Sequence, residues 1–131
     1  MATDFLLDTS PIVAHLRKKF NISATAPDGA LLFTSLFTLG ELEKGIARAR
    51  TPSRERAKVE SFMQHIAILT PDSATAKTYG RISAELDAKG ERIPENDTWI
   101  AAIALECDMT LATGDAHFSR ISGLKVEHWT W

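Results

Sequence analysis

Residues 99–105 read Trp-Ile-Ala-Ala-Ile-Ala-Leu, seven positions without a polar side chain. Taken as a helix this run is apolar all round, and such a helix belongs inside a domain. The rest of the chain must therefore cover it. Pro94-Glu95-Asn96-Asp97 leads into it, so Asp97 stands where the helix begins. The first amide groups of a helix are unpaired and carry partial positive charge, which favours a carboxylate. One reading of Asp97 is therefore an N-cap. The other depends on acidic residues elsewhere in the chain.

With 131 residues, the chain is long enough to bury a core as one domain over residues 1–131. No apolar run approaches the roughly 20 residues that span a bilayer. The start, Met-Ala-Thr-Asp, lacks the basic region of a signal peptide. The single cysteine, Cys107, excludes an internal disulfide or a cysteine metal cluster and suits a reducing cytoplasm. It reads as a small buried hydrophobe within the apolar helix.

Short apolar runs alternate with helical periodicity. Residues 4–8 read as a buried strand, followed by a helix over 9–20 with Thr9 or Ser10 as cap and Pro11 in its first turn. Residues 21–29 read as a loop, 30–35 as a strand and 37–50 as a helix. A second helix starts at Ser53 and buries Val59, Phe62, Met63 and Ile66. Residues 67–70 read as a strand, 74–88 as a helix closed by Gly90, 109–113 as a strand and 124–129 as an edge strand. No tight hairpin joins two strands. The pattern predicts an α/β fold with a central parallel sheet and helices on both faces.

In an open parallel sheet the site edge is formed by the strand C-termini and the loops after them. Asp8 ends the first strand, and Asp115 follows the fourth through Thr113 and Gly114. Glu41 lies about one turn into the helix after the second strand. Asp97 joins them only if its helix starts at that edge, which the strand pattern leaves open. Each acid also has a local reading: Asp8 as a cap, Glu41 as a solvated helix residue, Asp115 as turn chemistry. Crowded carboxylates repel one another, and a hard divalent cation such as Mg²⁺ or Mn²⁺ relieves the repulsion. A cation held this way equips a site to hydrolyse a phosphodiester.

The net charge of −2 hides an asymmetry. Residues 44–58 hold Lys44, Arg48, Arg50, Arg54, Arg56 and Lys58 against Glu55. Residues 85–97 reverse the balance. The basic stretch reads either as a solvated helix face or as contact with a polyanion.

Four blocks carry a resemblance: Phe-Leu-Leu-Asp-Thr-Ser-Pro-Ile-Val at 5–13, Thr-Leu-Gly-Glu-Leu-Glu-Lys-Gly-Ile at 38–46, Asn-Asp-Thr-Trp-Ile-Ala-Ala-Ile-Ala at 96–104 and Leu-Ala-Thr-Gly-Asp-Ala-His-Phe at 111–118. In this order they resemble the PIN-domain family, in particular its VapC-type ribonuclease toxins and the FitB-like proteins. The resemblance implies a three-layer PIN-like fold and Mg²⁺- or Mn²⁺-dependent endoribonuclease activity. It carries the acidic positions onto Asp8, Glu41, Asp97 and Asp115, with Thr9 or Ser10 and Thr113 as supporting hydroxyls. It implies RNA as substrate and, as partners, a small antitoxin and a second copy of the chain. Asn96 and Glu95 depart from relatives in polarity; Glu95 reads as exposed.

On this scheme Asp8 and Asp97 ligate the ion, and Asp115 holds a second ion or ion-bound water. Glu41 orients or deprotonates the attacking water. Lys44, Arg48 and Arg50 follow Glu41 on its helix and are candidate phosphate contacts. His15, His65, His117 and His128 show no metal-binding spacing and read as structural or exposed. Trp99 reads as buried, while Trp131, at the end of the sequence, reads as loose or at an interface. Two alternatives stand. One is a PIN module that binds RNA or protein without catalysis. The other is a phospho-accepting receiver domain, disfavoured because its paired acids are missing after the first strand.

Overall fold

A computed structural model describes residues 4–131; the reading of the chain's start as free of a signal peptide falls partly on residues 1–3, outside the described residues. Among the described residues, five short strands form one parallel sheet in the order β3-β2-β1-β4-β5. They are β1 (Phe5–Leu7), β2 (Leu32–Ser35), β3 (Ala67–Leu69), β4 (Thr110–Thr113) and β5 (Val126–His128). The helices are α1 (Thr9–Leu16), α2 (Ile22–Thr25), α3 (Leu36–Ala47), α4 (Pro52–Met63), α5 (Ser73–Lys89) and α6 (Glu95–Glu106), with a 3₁₀ turn at Ala116–Arg120. No helix among the described residues is long and apolar enough to cross a membrane.

Strand β1 is buried on both faces because successive side chains alternate across the sheet. Leu6, with Leu111 of β4, faces a core built by Ile82 and Leu86 of α5, Ile100 and Ile103 of α6, and Phe118. Phe5, Leu7 and Ala112 face the opposite core, made by Ile12, Ile22, Leu42, Ile46, Val59 and Trp129. Each fully buried Leu, Ile or Phe contributes roughly 1.5–3 kcal/mol of transfer free energy. The central sheet thus lies between two helical layers, as the alternating pattern predicts. The α6 run is the inner helix: residues from Ile100 to Ala104 are at most 1% exposed.

Local chemistry sets several boundaries differently from the periodicity. Helix α1 ends at Leu16, not at residue 20. Lys18 takes a left-handed φ of 60°, and its N–H donates to the His15 carbonyl while that of Lys19 donates to Ala14. Asp8, not Thr9 or Ser10, occupies the cap position of α1, without a side-chain capping bond. A one-turn helix, α2, lies in the expected 21–29 loop because the Asn21 carboxamide caps it, accepting from the Ala24 N–H at 3.2 Å.

The α6 boundaries shift similarly. Pro94 is the cap residue, so Asp97 sits in the first turn rather than at the cap. Cys107 ends α6 and is exposed, since the chain turns out through Asp108 at φ 53°. Trp99 is only half-buried; it stacks between Tyr79 (4.0 Å) and Phe37 (5.5 Å). Three residues after α6 the chain enters β4. The helix therefore finishes at the N-terminal edge of the sheet and starts at the opposite edge, where Asp97 must lie.

Candidate active site

The site is built on two neighbouring parallel strands. Leu7 of β1 pairs with Ala112 of β4, so the next residues, Asp8 and Thr113, emerge side by side at the C-terminal edge. The Asp8 N–H donates to the Ala112 carbonyl at 3.0 Å. The Thr113 hydroxyl donates to Asp8 Oδ2 at 2.7 Å and accepts from the Asp115 N–H at 3.0 Å. One buried hydroxyl thus fixes both acids. Ser10 accepts from the Gly114 N–H at 3.0 Å, with its own hydroxyl 3.5 Å from Asp8 Oδ2.

Glu41 reaches the same groove from α3. The Thr9 hydroxyl donates to Glu41 Oε1 at 2.9 Å, tying the first turn of α1 to the second turn of α3. Asp97 enters from the first turn of α6. All four acids, Asp8, Glu41, Asp97 and Asp115, line one groove. The Thr9 hydroxyl donates to Glu41 and the Thr113 hydroxyl to Asp8, with Ser10 also near Asp8.

Spacing along the chain makes His117 structural or exposed; the structure puts it half-buried between two of the acids. Its Nε2 lies 2.8 Å from Asp97 Oδ2 and its Nδ1 lies 2.8 Å from Asp115 Oδ1. Its backbone N–H also donates to Asp115 Oδ1, at 3.1 Å. The imidazole bridges acids 18 residues apart in sequence, a relation that ligand spacing along the chain cannot reveal. Donor atoms of Asp97, Asp115 and His117 lie within 4.8 Å of one another, close enough to hold one metal ion.

Burial gives the site its electrostatic character. Asp8 is 5% exposed, and its carboxyl is pushed up to about 6. Burial is the largest cause, and the charges of Asp97 and Glu41 push the same way; the Thr113 hydroxyl and the Thr9 amide oppose it. A buried carboxylate beside two others is a poor place for a further anion and a good one for a cation.

The basic residues divide. Lys44 and Arg48 line a neighbouring groove that runs along α3 past Glu41, whereas Arg50 lines neither groove. Arg56 is engaged in a bidentate pair with Glu43, at 2.8 and 3.1 Å. Arg17 and Lys19 line the acidic groove itself. Helix α1 ends at Leu16, and the chain that follows it carries both residues along the groove. Glu95 is exposed and accepts from the Tyr79 hydroxyl.

The profile of the PIN domain family matches residues 5–124. The tRNA(fMet)-specific endonuclease VapC of Shigella flexneri is 31% identical over 134 residues, covering 96% of this chain and 98% of that protein. Among solved structures, VapBC2 from Rickettsia felis, bound to a DNA fragment from its promoter, superposes with a TM-score of 0.90 at 26% identity. That match covers 98% of this chain and 100% of the other. DNA-bound VapBC from Salmonella typhimurium superposes with a TM-score of 0.83 at 30% identity, covering 99% and 100%. A parallel five-stranded sheet with four carboxylates converging at its C-terminal edge, matched over nearly its whole length by these proteins, belongs to the PIN-domain family, among its VapC-type members.

Proposed function

We infer that the protein is a VapC-type ribonuclease toxin that hydrolyses RNA phosphodiester bonds, with Asp8, Glu41, Asp97 and Asp115 as its catalytic residues. The observation that carries this reading is the convergence of these four acids on one groove, with Asp8 buried among like charges. The four acids offer carboxylate oxygens, which suit Mg²⁺ or Mn²⁺, with the His117 imidazole beside Asp97 and Asp115. The raised Asp8 carboxyl marks a buried position where a cation offsets desolvation and like charge. Asp8, Asp97 and Asp115 would hold the ion, with Glu41 beside them. A divalent ion bound there supplies charge stabilisation at phosphate oxygens and lowers the pKa of water.

The remaining work falls to the chain's own groups. Thr113 and Ser10 fix Asp8, so its carboxylate needs no rearrangement before substrate arrives. Glu41, steadied by Thr9, orients the attacking water and accepts its proton. Arg17, Lys19, Lys44 and Arg48 take the phosphates on either side of the reacting one. A P–O bond forms to water and the bond to the 3′-oxygen breaks, with a proton passing to that oxygen. The products are a 5′-phosphate and a 3′-hydroxyl. End-group analysis of the fragments checks this, and a 2′,3′-cyclic phosphate would contradict it.

The family reading extends to partners and place. Similar structures are toxin–antitoxin complexes, which supports a small antitoxin as partner; self-association and a cytoplasmic location belong to the same reading. Co-expression with a candidate VapB-type antitoxin, followed by purification through a tag on that antitoxin, tests the partner. Recovery of this chain in a complex that no longer cuts RNA is expected. Failure to associate would argue against a toxin–antitoxin pair.

A further inference from the structure

Trp131 is 50% exposed and lines the acidic groove beside Asp115. Two contacts fix it there. The indole lies directly on Gly114: a Cβ at that position would come within 2.5 Å of its Cη2 and 3.0 Å of its Cζ2. Only glycine permits so close an approach. Gly114 is itself clamped, its N–H donating to Ser10 and its carbonyl accepting from His128 Nε2 at 3.0 Å. The other contact is Phe20, 5.3 Å away and tilted by 53°. Of the two expectations for Trp131, loose or at an interface, looseness gives way to a fixed ring with half of its surface in water.

Resting on the ribonuclease reading, we propose that Trp131 is the stacking platform for one base of single-stranded RNA beside the bond that is cut. An indole face takes a base of any identity. The groove is acidic and repels a polyanion, so binding there needs favourable contacts other than the acids. Arg17 and Lys19, in the same groove, supply them for phosphates, and Trp131 supplies one for a base. The other tryptophans do not offer a free face: Trp99 is sandwiched between Phe37 and Tyr79, and Trp129 is 4% exposed.

The test uses a short oligoribonucleotide that the wild-type protein cuts in Mn²⁺, together with versions lacking the base at one nucleotide at a time. Trp131→Leu keeps apolar bulk and loses the aromatic face. It should raise KM on the order of tenfold and leave kcat within about twofold, with Trp131→Phe between. At one abasic position wild type and Trp131→Leu should become equal, and wild type alone should show its own rise in KM there, a readout independent of how the variant folds. An unchanged KM, or a deficit that persists at every abasic position, overturns the assignment. So does a variant that cuts normally but loses affinity for a partner protein, which would make Trp131 a protein contact. Failure of the wild-type protein to cut any RNA would overturn the ribonuclease reading itself, and the platform with it.

Discussion

Asp8 is 5% exposed, with the charges of Asp97 and Glu41 close by, and its carboxyl titrates at about 6 instead of 3.8. The folded protein holds the Asp8 proton more tightly than the unfolded chain does. Stability is therefore lost as pH rises through the window from about 4 to about 6, by about 3 kcal/mol at 1.36 kcal/mol per unit. Asp8→Asn removes this cost. Without divalent ions the variant should melt at a higher temperature than wild type at pH 7.5, and the gap should close below pH 4. A gap independent of pH would contradict the account. His117 makes a second residue-scale prediction. Its loss in His117→Ala leaves Asp97 and Asp115 facing each other without the bridge, lowering metal-free stability by about 1–3 kcal/mol. Mn²⁺ should recover most of that loss in a melting experiment. Asp8 and Asp115 were legible at one edge because each follows a recognisable strand. The strand pattern left Asp97 open, and only the family resemblance joined it to them. His117 was not legible, since its partners meet it only after α6 and β4 are in place.

Helix α6 links the core to the site. Ile100 is fully buried between the sheet and α5, while Asp97 one turn earlier reaches the groove. Ile100→Ala should cost about 2–5 kcal/mol of stability in denaturant unfolding, and fully folded variant should still cut RNA. A loss of activity without loss of stability would mean that Ile100 acts on the site itself and not only through the core. The apolar run was plain in the sequence because nothing but a buried helix accommodates it. The ends were less plain. Cys107 is apolar by type yet exposed, because termination depends on the Asp108 turn rather than on hydropathy. In α1 the left-handed Lys18 ended the helix where side-chain periodicity continued, and this placed Arg17 and Lys19 in the groove. Boundaries are decided by single backbone conformations, which periodicity does not encode.

Across the whole molecule a net charge of −2 conceals a local division of labour, with acids converging on one groove and cations on its margins. The alternation of strands and helices made the parallel sheet readable, and with it the edge at which Asp8 and Asp115 meet. The basic stretch at 44–58 was readable only in part, since Arg56 is held by Glu43 and Arg50 lies outside both grooves. If Arg17, Lys19, Lys44 and Arg48 take phosphates, RNA affinity should fall with salt at a log–log slope of roughly −2 to −3, at about −0.7 per phosphate on a single strand. A slope near zero would remove these cations from the interface. The most direct measurement is cleavage of a mixed RNA pool by the purified protein in Mg²⁺ or Mn²⁺, repeated in EDTA and with Asp97→Asn. Metal-dependent cutting that disappears in both controls is the predicted result. Cutting that survives chelation or the substitution would contradict the claim that the four acids form one metal-dependent nuclease site.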